Sequence, residues 1–222
     1  MISRTLGLFL LPLLSLAVCA AATQMSMAGD QNTTLYFGYG SNLWLQQMKL
    51  RCPTSQYVGV ARLNGYRWMI NERGYANVVE TPTTKGSTFH VPTTNVTYAL
   101  VYILQTEDER RLDSNEGVPV AYTKETLSVD FWPASGDDRM ANVTHRAEKR
   151  DMLVYINRKQ IRDSAPKKEY IYRLNKGIKD AVAHGVPQDY VDESIRPFIP
   201  ARSDADIREQ AERQALFFKD ER

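Results

Sequence analysis

The unbroken apolar run Tyr98-Ala99-Leu100-Val101-Tyr102-Ile103-Leu104 constrains the fold most. A strand so composed has no face to offer water, so it lies in a sheet covered on both sides or lines a closed barrel. Further strand-like segments are rich in β-branched and aromatic residues: 34–38, one or two strands within 56–70, 118–132 and 151–156. Helical spacing appears between and after them. Residues 107–113 read as a short charged helix, and 166–184 carries Tyr170, Leu174, Ile178 and Ala181 at three- and four-residue steps. Ser203 and Asp206 form a capping box for a last helix at 203–218, whose apolar face is Ile207, Ala211, Ala215 and Phe218. Residues 80–97 have turn formers and no apolar period, and read as an inserted surface loop. No repeat or long linker divides the chain, so the expected class is α+β with a single domain over 23–222.

Charge and composition remove several functions. With 28 basic and 26 acidic side chains the net charge is +2, too small for a nucleic-acid or anionic-membrane partner. Two cysteines and three histidines leave no disulfide framework and little material for a metal site, so chemistry without a cofactor is expected. Residues 1–22 read as a signal peptide: a positive start at Met1 to Arg4, an apolar run from Leu6 to Val18, and small residues that admit cleavage after Ala20 or Ala22. Its removal leaves no stable membrane span and takes Cys19 with it, so Cys52 remains as a buried, unreactive thiol. Asn32, Asn95 and Asn142 head N-glycosylation sequons, which agrees with the secretory pathway, secreted or in a vesicle or vacuole lumen.

Two segments carry candidate chemistry. In Tyr36-Phe37-Gly38-Tyr39-Gly40-Ser41-Asn42-Leu43 a strand runs into close glycines and then into residues suited to a helix start. Such a turn can present successive N–H groups to a carboxylate or an oxyanion. The glycine spacing is neither a dinucleotide fingerprint nor a phosphate loop, and taken alone the segment reads first as a plain strand-to-helix turn. In Arg111-Leu-Asp-Ser-Asn-Glu116-Gly-Val-Pro119 a charged helix ends at Glu116-Gly117. A carboxylate there can point into a cavity, lose solvation and become a better proton acceptor, or it can be a solvated glutamate before a capping glycine.

Taken together and in order, Tyr36 to Leu43 and Leu112-Asp-x-x-Glu116-Gly-Val118 resemble the γ-glutamylcyclotransferase family, also called AIG2-like. Gly74-Tyr-Ala-Asn-Val-Val79, the strand at Tyr98 to Leu104, Ser164-Ala-Pro166, Tyr170, Gly177 and Gly185-Val-Pro187 extend the likeness over about residues 34–190. The resemblance implies a small mixed β-barrel with packed helices. It also implies a cofactor-free enzyme that splits a γ-glutamyl amide into 5-oxoproline and a free amine, by attack of the substrate's own α-amine. Glu116 matches the family's catalytic general base and acid. Tyr36 to Leu43 matches its substrate-binding loop, and Tyr170 the tyrosine that lends a hydroxyl to the pocket. The leader and the sequons depart from cytosolic glutathione-handling members and are of the kind expected in a fungal, secretory one. The substrate would be glutathione, a γ-glutamyl peptide or a glutathione conjugate from secondary metabolism.

The stretch 158–179 holds eight Lys or Arg against Asp163 and Glu169 and reads as a solvated face, or as a field that draws an acidic substrate. A secreted protein that binds a γ-glutamyl or amino-acid ligand without turnover is the alternative function. His90, His145 and His184 sit in no motif that supplies a serine hydrolase or a zinc site, and each is expected on the surface or in a structural place.

Overall fold

The apolar run is the centre of the sheet. In the structure, a computed structural model that describes residues 33–82, 93–202 and 207–216, β5 (Val96–Gln105) is buried along most of its length. It pairs antiparallel with β1 (Thr33–Gly38) on one side and β2 (Gln56–Asn64) on the other. β8 (Glu148–Ile156) joins β1 in parallel at Tyr36 and Leu153, and β6 (Thr123–Ser135) runs antiparallel to β8. β6 also meets β2, from Gly59 against Pro133 to Arg62 against Asp130, and so closes a five-stranded barrel. The α+β barrel expected from the sequence is therefore the observed fold. β3 (Tyr66–Ile70) and β4 (Ala76–Glu80) form a separate hairpin, and the two-residue β7 (Met140–Ala141) pairs antiparallel with the end of β6.

Closure depends on one glycine and one carboxylate. Gly59 has φ +155°, and a Cβ there would lie 2.2 Å from the Trp132 carbonyl oxygen, so no side chain fits where the two strands meet. Beside it, Asp130 accepts from Arg62 at 2.9 Å, Asn64 at 2.7 Å and Lys149 at 2.6 Å. Burial opposes its ionisation, but the hydrogen bonds from Lys149, Asn64 and Arg62 outweigh it and hold its carboxyl down at about 2.

The helices pack outside the barrel. α1 (Leu45–Arg51) follows β1, and α2 (Thr106–Glu116) opens with Glu107, Asp108 and Glu109 facing the positive end of its dipole. α2 extends past the expected 107–113 as far as Glu116, where Gly117 caps it in the left-handed conformation at φ 65°. Residues 118–122, expected as strand, are instead a turn: the N–H groups of Val120 and Ala121 bond back to the Gly117 carbonyl. Pro119 has no N–H to give a ladder, so pairing begins only at Thr123. α3 (Lys168–Ala183) buries Tyr170, Leu174, Ile178 and Ala181, as its spacing predicts. α4 (Gln188–Tyr190) continues as a π turn through Val191–Ile195. α5 (Arg208–Leu216) sets buried Ala211 and Ala215 against α1 and α3.

Asn32, His90, Phe218, the leader, the capping box at 203–206 and most of the loop expected at 80–97 lie outside the described residues. Among those described, no helix is long and apolar enough to cross a membrane.

Candidate active site

β1 delivers its last residues to one end of the barrel, and the chain then turns through a short 3-10 segment, Ser41–Leu43. Two backbone bonds make the turn, Leu43 N–H to Gly40 O at 2.9 Å and Trp44 N–H to Ser41 O at 3.0 Å. α3 lies directly upon it, since a Cβ at Gly177 would come within 2.8 Å of Leu43 Cβ. From β5, the Tyr102 hydroxyl donates to the Asn42 carbonyl at 2.8 Å. The loop is thus fixed from both sides, and Ser41 and Asn42 are both buried.

The Asn42 side chain joins the two segments that carry candidate chemistry. Its Nδ2 donates to Glu116 Oε1 at 3.0 Å and to the Tyr36 hydroxyl at 2.8 Å. Its Oδ1 accepts from Gln47 Nε2 at 2.8 Å and from Arg51 at 3.2 Å. Glu116 reaches inward because Gly117 ends α2 at that point. Tyr36, Asn42, Arg51 and Glu116 together line a cleft of about 450 Å³, measured out to its opening. Its walls also include Tyr39, Tyr75, Tyr122 and Tyr155.

Glu116 is raised above the ordinary carboxylate range. Loss of solvation is the dominant cause; Arg51, the Asn42 hydrogen bond, Arg73 and Arg173 oppose it without cancelling it. Such a carboxylate is a usable base near neutrality and a usable acid once protonated.

Tyr170 occupies a special place. Its hydroxyl oxygen accepts from the N–H of Ser41 at 3.1 Å and from the N–H of Ala76 at 3.3 Å. The Ser41 N–H, expected to face a substrate anion, is therefore directed at a phenol. An oxygen that accepts twice keeps its own proton to donate, and the two N–H dipoles strengthen that donation. Burial nonetheless pushes this phenol up to about 12, against the opposing effect of Arg173 and both N–H groups.

Beneath the loop, Arg173 forms a two-pronged pair with Glu169 at 2.8 and 3.2 Å and also donates to Ser41 Oγ at 3.0 Å and Gln47 Oε1 at 3.2 Å. Both partners are almost fully buried. Arg173 was part of the stretch read as a solvated face. That reading holds for exposed neighbours such as Arg158, Arg162 and Lys179 but fails for Arg173, which the helix turns inward. At the rim, Arg73 lies over the rings of Tyr122 at 5.1 Å and Tyr75 at 5.8 Å, and Lys167 over Tyr75 at 5.1 Å.

Of the residues singled out in the sequence, Tyr36, Tyr39, Gly40, Ser41, Asn42, Glu116 and Tyr170 line one cleft. Phe37, Gly38 and Leu43 do not; Phe37 and Leu43 are buried in the hydrophobic core. Sequence reasoning missed Arg51, Tyr75, Ala76, Tyr122 and Tyr155, and misplaced Arg173. The available signal for Arg173 was Glu169 four positions earlier on the same helix face.

His184 bonds through Nδ1 to the Asp180 carbonyl at 2.7 Å and packs on Tyr57, while His145 is exposed beside Asn142; neither lines the cleft. Cys52 is free and buried, its thiol pushed up to about 12 chiefly by burial, with Asp108 adding to the effect. Asn142 is exposed and Asn95 half-buried.

No family model and no curated protein sequence matches this chain. Solved structures do. A human protein described as uncharacterized shares the fold over 82% of this chain and 99% of its own, at 18% identity and a TM-score of 0.57. A γ-glutamyl cyclotransferase does so over the same shares, at 19% identity and a TM-score of 0.57. YkqA from Bacillus subtilis aligns over 78% of this chain and 57% of its own, at 19% identity and a TM-score of 0.54. At such identities the likeness establishes a common fold.

Proposed function

We propose that the cleft cyclises a γ-glutamyl amide, releasing 5-oxoproline and a free amine, with Glu116 as the proton carrier. The observation that supports this most is the Glu116 carboxylate itself: raised by burial, tied by one oxygen to Asn42, and facing a cleft in a barrel of the γ-glutamyl cyclotransferase fold.

The reaction balances within the substrate and this one carboxyl. Glu116 takes a proton from the substrate α-ammonium. The freed amine nitrogen attacks the γ-carbonyl carbon, a new C–N bond closes a five-membered ring, and the carbonyl oxygen gathers negative charge. The carbonyl re-forms as the old amide C–N bond breaks and protonated Glu116 gives its proton to the leaving nitrogen; Glu116 then takes the surplus proton from the ring nitrogen and passes it to the released amine, which departs as an ammonium ion. No water is consumed. Because nucleophile and carbonyl are tethered, alignment supplies much of the rate; well-oriented intramolecular reactions reach effective molarities of about 10⁵–10⁸ M. The Tyr170 hydroxyl, backed by the N–H groups of Ser41 and Ala76, is the donor best placed for a substrate oxygen. Arg51 and Arg173 in the walls, with Arg73 at the rim, favour a substrate that carries carboxylates.

Glutathione, γ-glutamyl dipeptides and glutathione S-conjugates form the substrate panel, and a secretory location with an occupied Asn142 sequon belongs to the same reading. The test is mass-spectrometric detection of 5-oxoproline from each, with Glu116→Gln alongside. Release by the wild type and its loss in the variant support the proposal. Ligand binding without product from any substrate overturns it in favour of a binding protein.

A further inference from the structure

We propose that α5 is a working part of the site: its Gln214 and Ala215 carbonyls hold Arg51 against Asn42, and Arg51 thereby fixes the orientation in which Asn42 turns its amide nitrogen to Glu116. The proposal rests on the reading of Glu116 as the base.

Three hydrogen bonds to other elements start at Arg51, the last residue of α1 and itself buried. Its Nε donates to the Ala215 carbonyl at 2.9 Å and its NH2 group to the Gln214 carbonyl at 3.0 Å. Its NH1 group donates to Asn42 Oδ1 at 3.2 Å. Both acceptors are main-chain carbonyls of the last described turn of α5, and such oxygens satisfy a buried guanidinium without a second charge. Ala211 and Ala215, both fully buried, let α5 come close enough to α1 for this to happen.

The consequence reaches the cleft through Asn42. A carboxamide has nearly the same shape in two orientations, and its neighbours decide between them. Arg51 and Gln47 both donate to one end, which must therefore be oxygen. The other end, facing Tyr36 and Glu116 Oε1, must be nitrogen. Rotated by half a turn, the amide would set its oxygen against a carboxylate and its N–H groups against a cation. Arg51 is thus a positioning residue that acts through Asn42, and α5 positions Arg51.

The charged groups facing Glu116 are Arg51 from α1, Arg73 from the β3–β4 turn and Arg173 from α3. The phenols of Tyr36, Tyr39, Tyr155 and Tyr170 and the Cys52 thiol are all pushed up by burial and stay neutral through the range in which Glu116 titrates.

The test compares Arg51→Met, Arg51→Lys, Ala215→Leu and the Arg51→Met/Ala215→Leu double variant in the full-length chain. Each is followed by 5-oxoproline release against pH, by carbon-13 NMR titration of the Glu116 carboxyl, and by thermal unfolding. Arg51→Met is expected to move the acid limb and the NMR titration up by about one pH unit and to lower kcat more than it raises KM. Ala215→Leu, which pushes α5 off α1, moves the same limb in the same direction by less. The double variant goes no further than Arg51→Met, because the two changes break one chain of contacts. Arg51→Lys keeps the charge but loses the forked donor, so it moves the limb by less than Arg51→Met yet still lowers kcat; a Lys variant with wild-type kcat and titration would mean that charge alone acts, and overturns the proposal. An unmoved titration in Arg51→Met, or additive shifts in the double variant, overturns the proposal. If Arg51→Met does not fold, Ala215→Leu decides by the same measurements. Absence of 5-oxoproline from every wild-type reaction would sink the enzymatic reading, and the NMR titration would still decide the positioning of the carboxyl.

Discussion

Asn42 Nδ2 lies 3.0 Å from Glu116 Oε1, a hydrogen bond that spans 74 residues of sequence and joins the turn after β1 to the last residue of α2. It ties down one carboxylate oxygen and leaves the other for a substrate proton. The following expectations depend on that arrangement and on the polar layer beneath it.

Replacing Glu116 by Gln should lower kcat by about 10²–10⁴-fold, the usual worth of a positioned acid–base group. The same change should raise Tm at neutral pH. A carboxyl raised in the folded state gives up its proton less readily there than in the unfolded chain, so ionisation favours unfolding. Stability from this group is complete below the ordinary carboxylate range and is lost as pH rises through the folded value. Calorimetry from pH 4 to 8 should show the gain at the upper end and its disappearance at the lower; a uniform gain would contradict the raised carboxyl.

Tyr170→Phe takes the acceptor from two buried N–H groups, those of Ser41 and Ala76. A loss of about 1–3 kcal/mol in urea unfolding is expected from groups left unsatisfied. If the phenol serves a developing oxyanion, kcat should also fall by about 10²-fold. Lowered stability with an unchanged kcat would confine Tyr170 to the scaffold.

Arg173→Met leaves Glu169 charged and buried, without its two-pronged partner. Breaking such a pair from one side typically costs about 3–5 kcal/mol. Adding Glu169→Leu should restore much of the stability without restoring activity, because Ser41 and Gln47 still lack the Arg173 donor. Equilibrium denaturation of the single and double variants measures both statements.

Gly177→Ala introduces a methyl group 2.8 Å from Leu43 Cβ and 3.0 Å from the Trp44 nitrogen. Overpacking of this kind costs about 1–3 kcal/mol. Since the displaced neighbour is the Ser41–Leu43 turn, KM should rise together with the fall in Tm, and a stable variant with unchanged kinetics would show that α3 yields instead.

The parts of this site that the sequence discloses are those built by neighbours in the chain. Gly40-Ser41-Asn42 after a strand and Glu116-Gly117 at a helix end are local patterns, each set by backbone chemistry within a few residues. The α3 spacing likewise announces its buried face, with Tyr170 at its start. Arg51 and Tyr155 are different: what turns them into the cleft is the packing of α5 on α1 and the closure of β8 onto β1, neither of which leaves a trace near those positions. Arg173 was hidden among exposed cations, because net charge along a segment does not say which turn of a helix faces in. The error at 118–122 has a local cause. Apolar Val118, Val120 and Ala121 look like strand, but the left-handed Gly117 and the missing N–H of Pro119 keep the backbone out of the ladder.

Closure of β2 onto β6 has a meaning for life at high concentration. An open sheet presents a row of unpaired N–H and C=O groups on which another chain can add a strand, and a closed one offers no such template. Here the seam covers only four residue pairs, and Asp130 with its three cationic and amide donors sits at one end of it. Acid strong enough to protonate Asp130 takes the charge from that latch, and opening of the seam would expose one edge of β2 and one of β6.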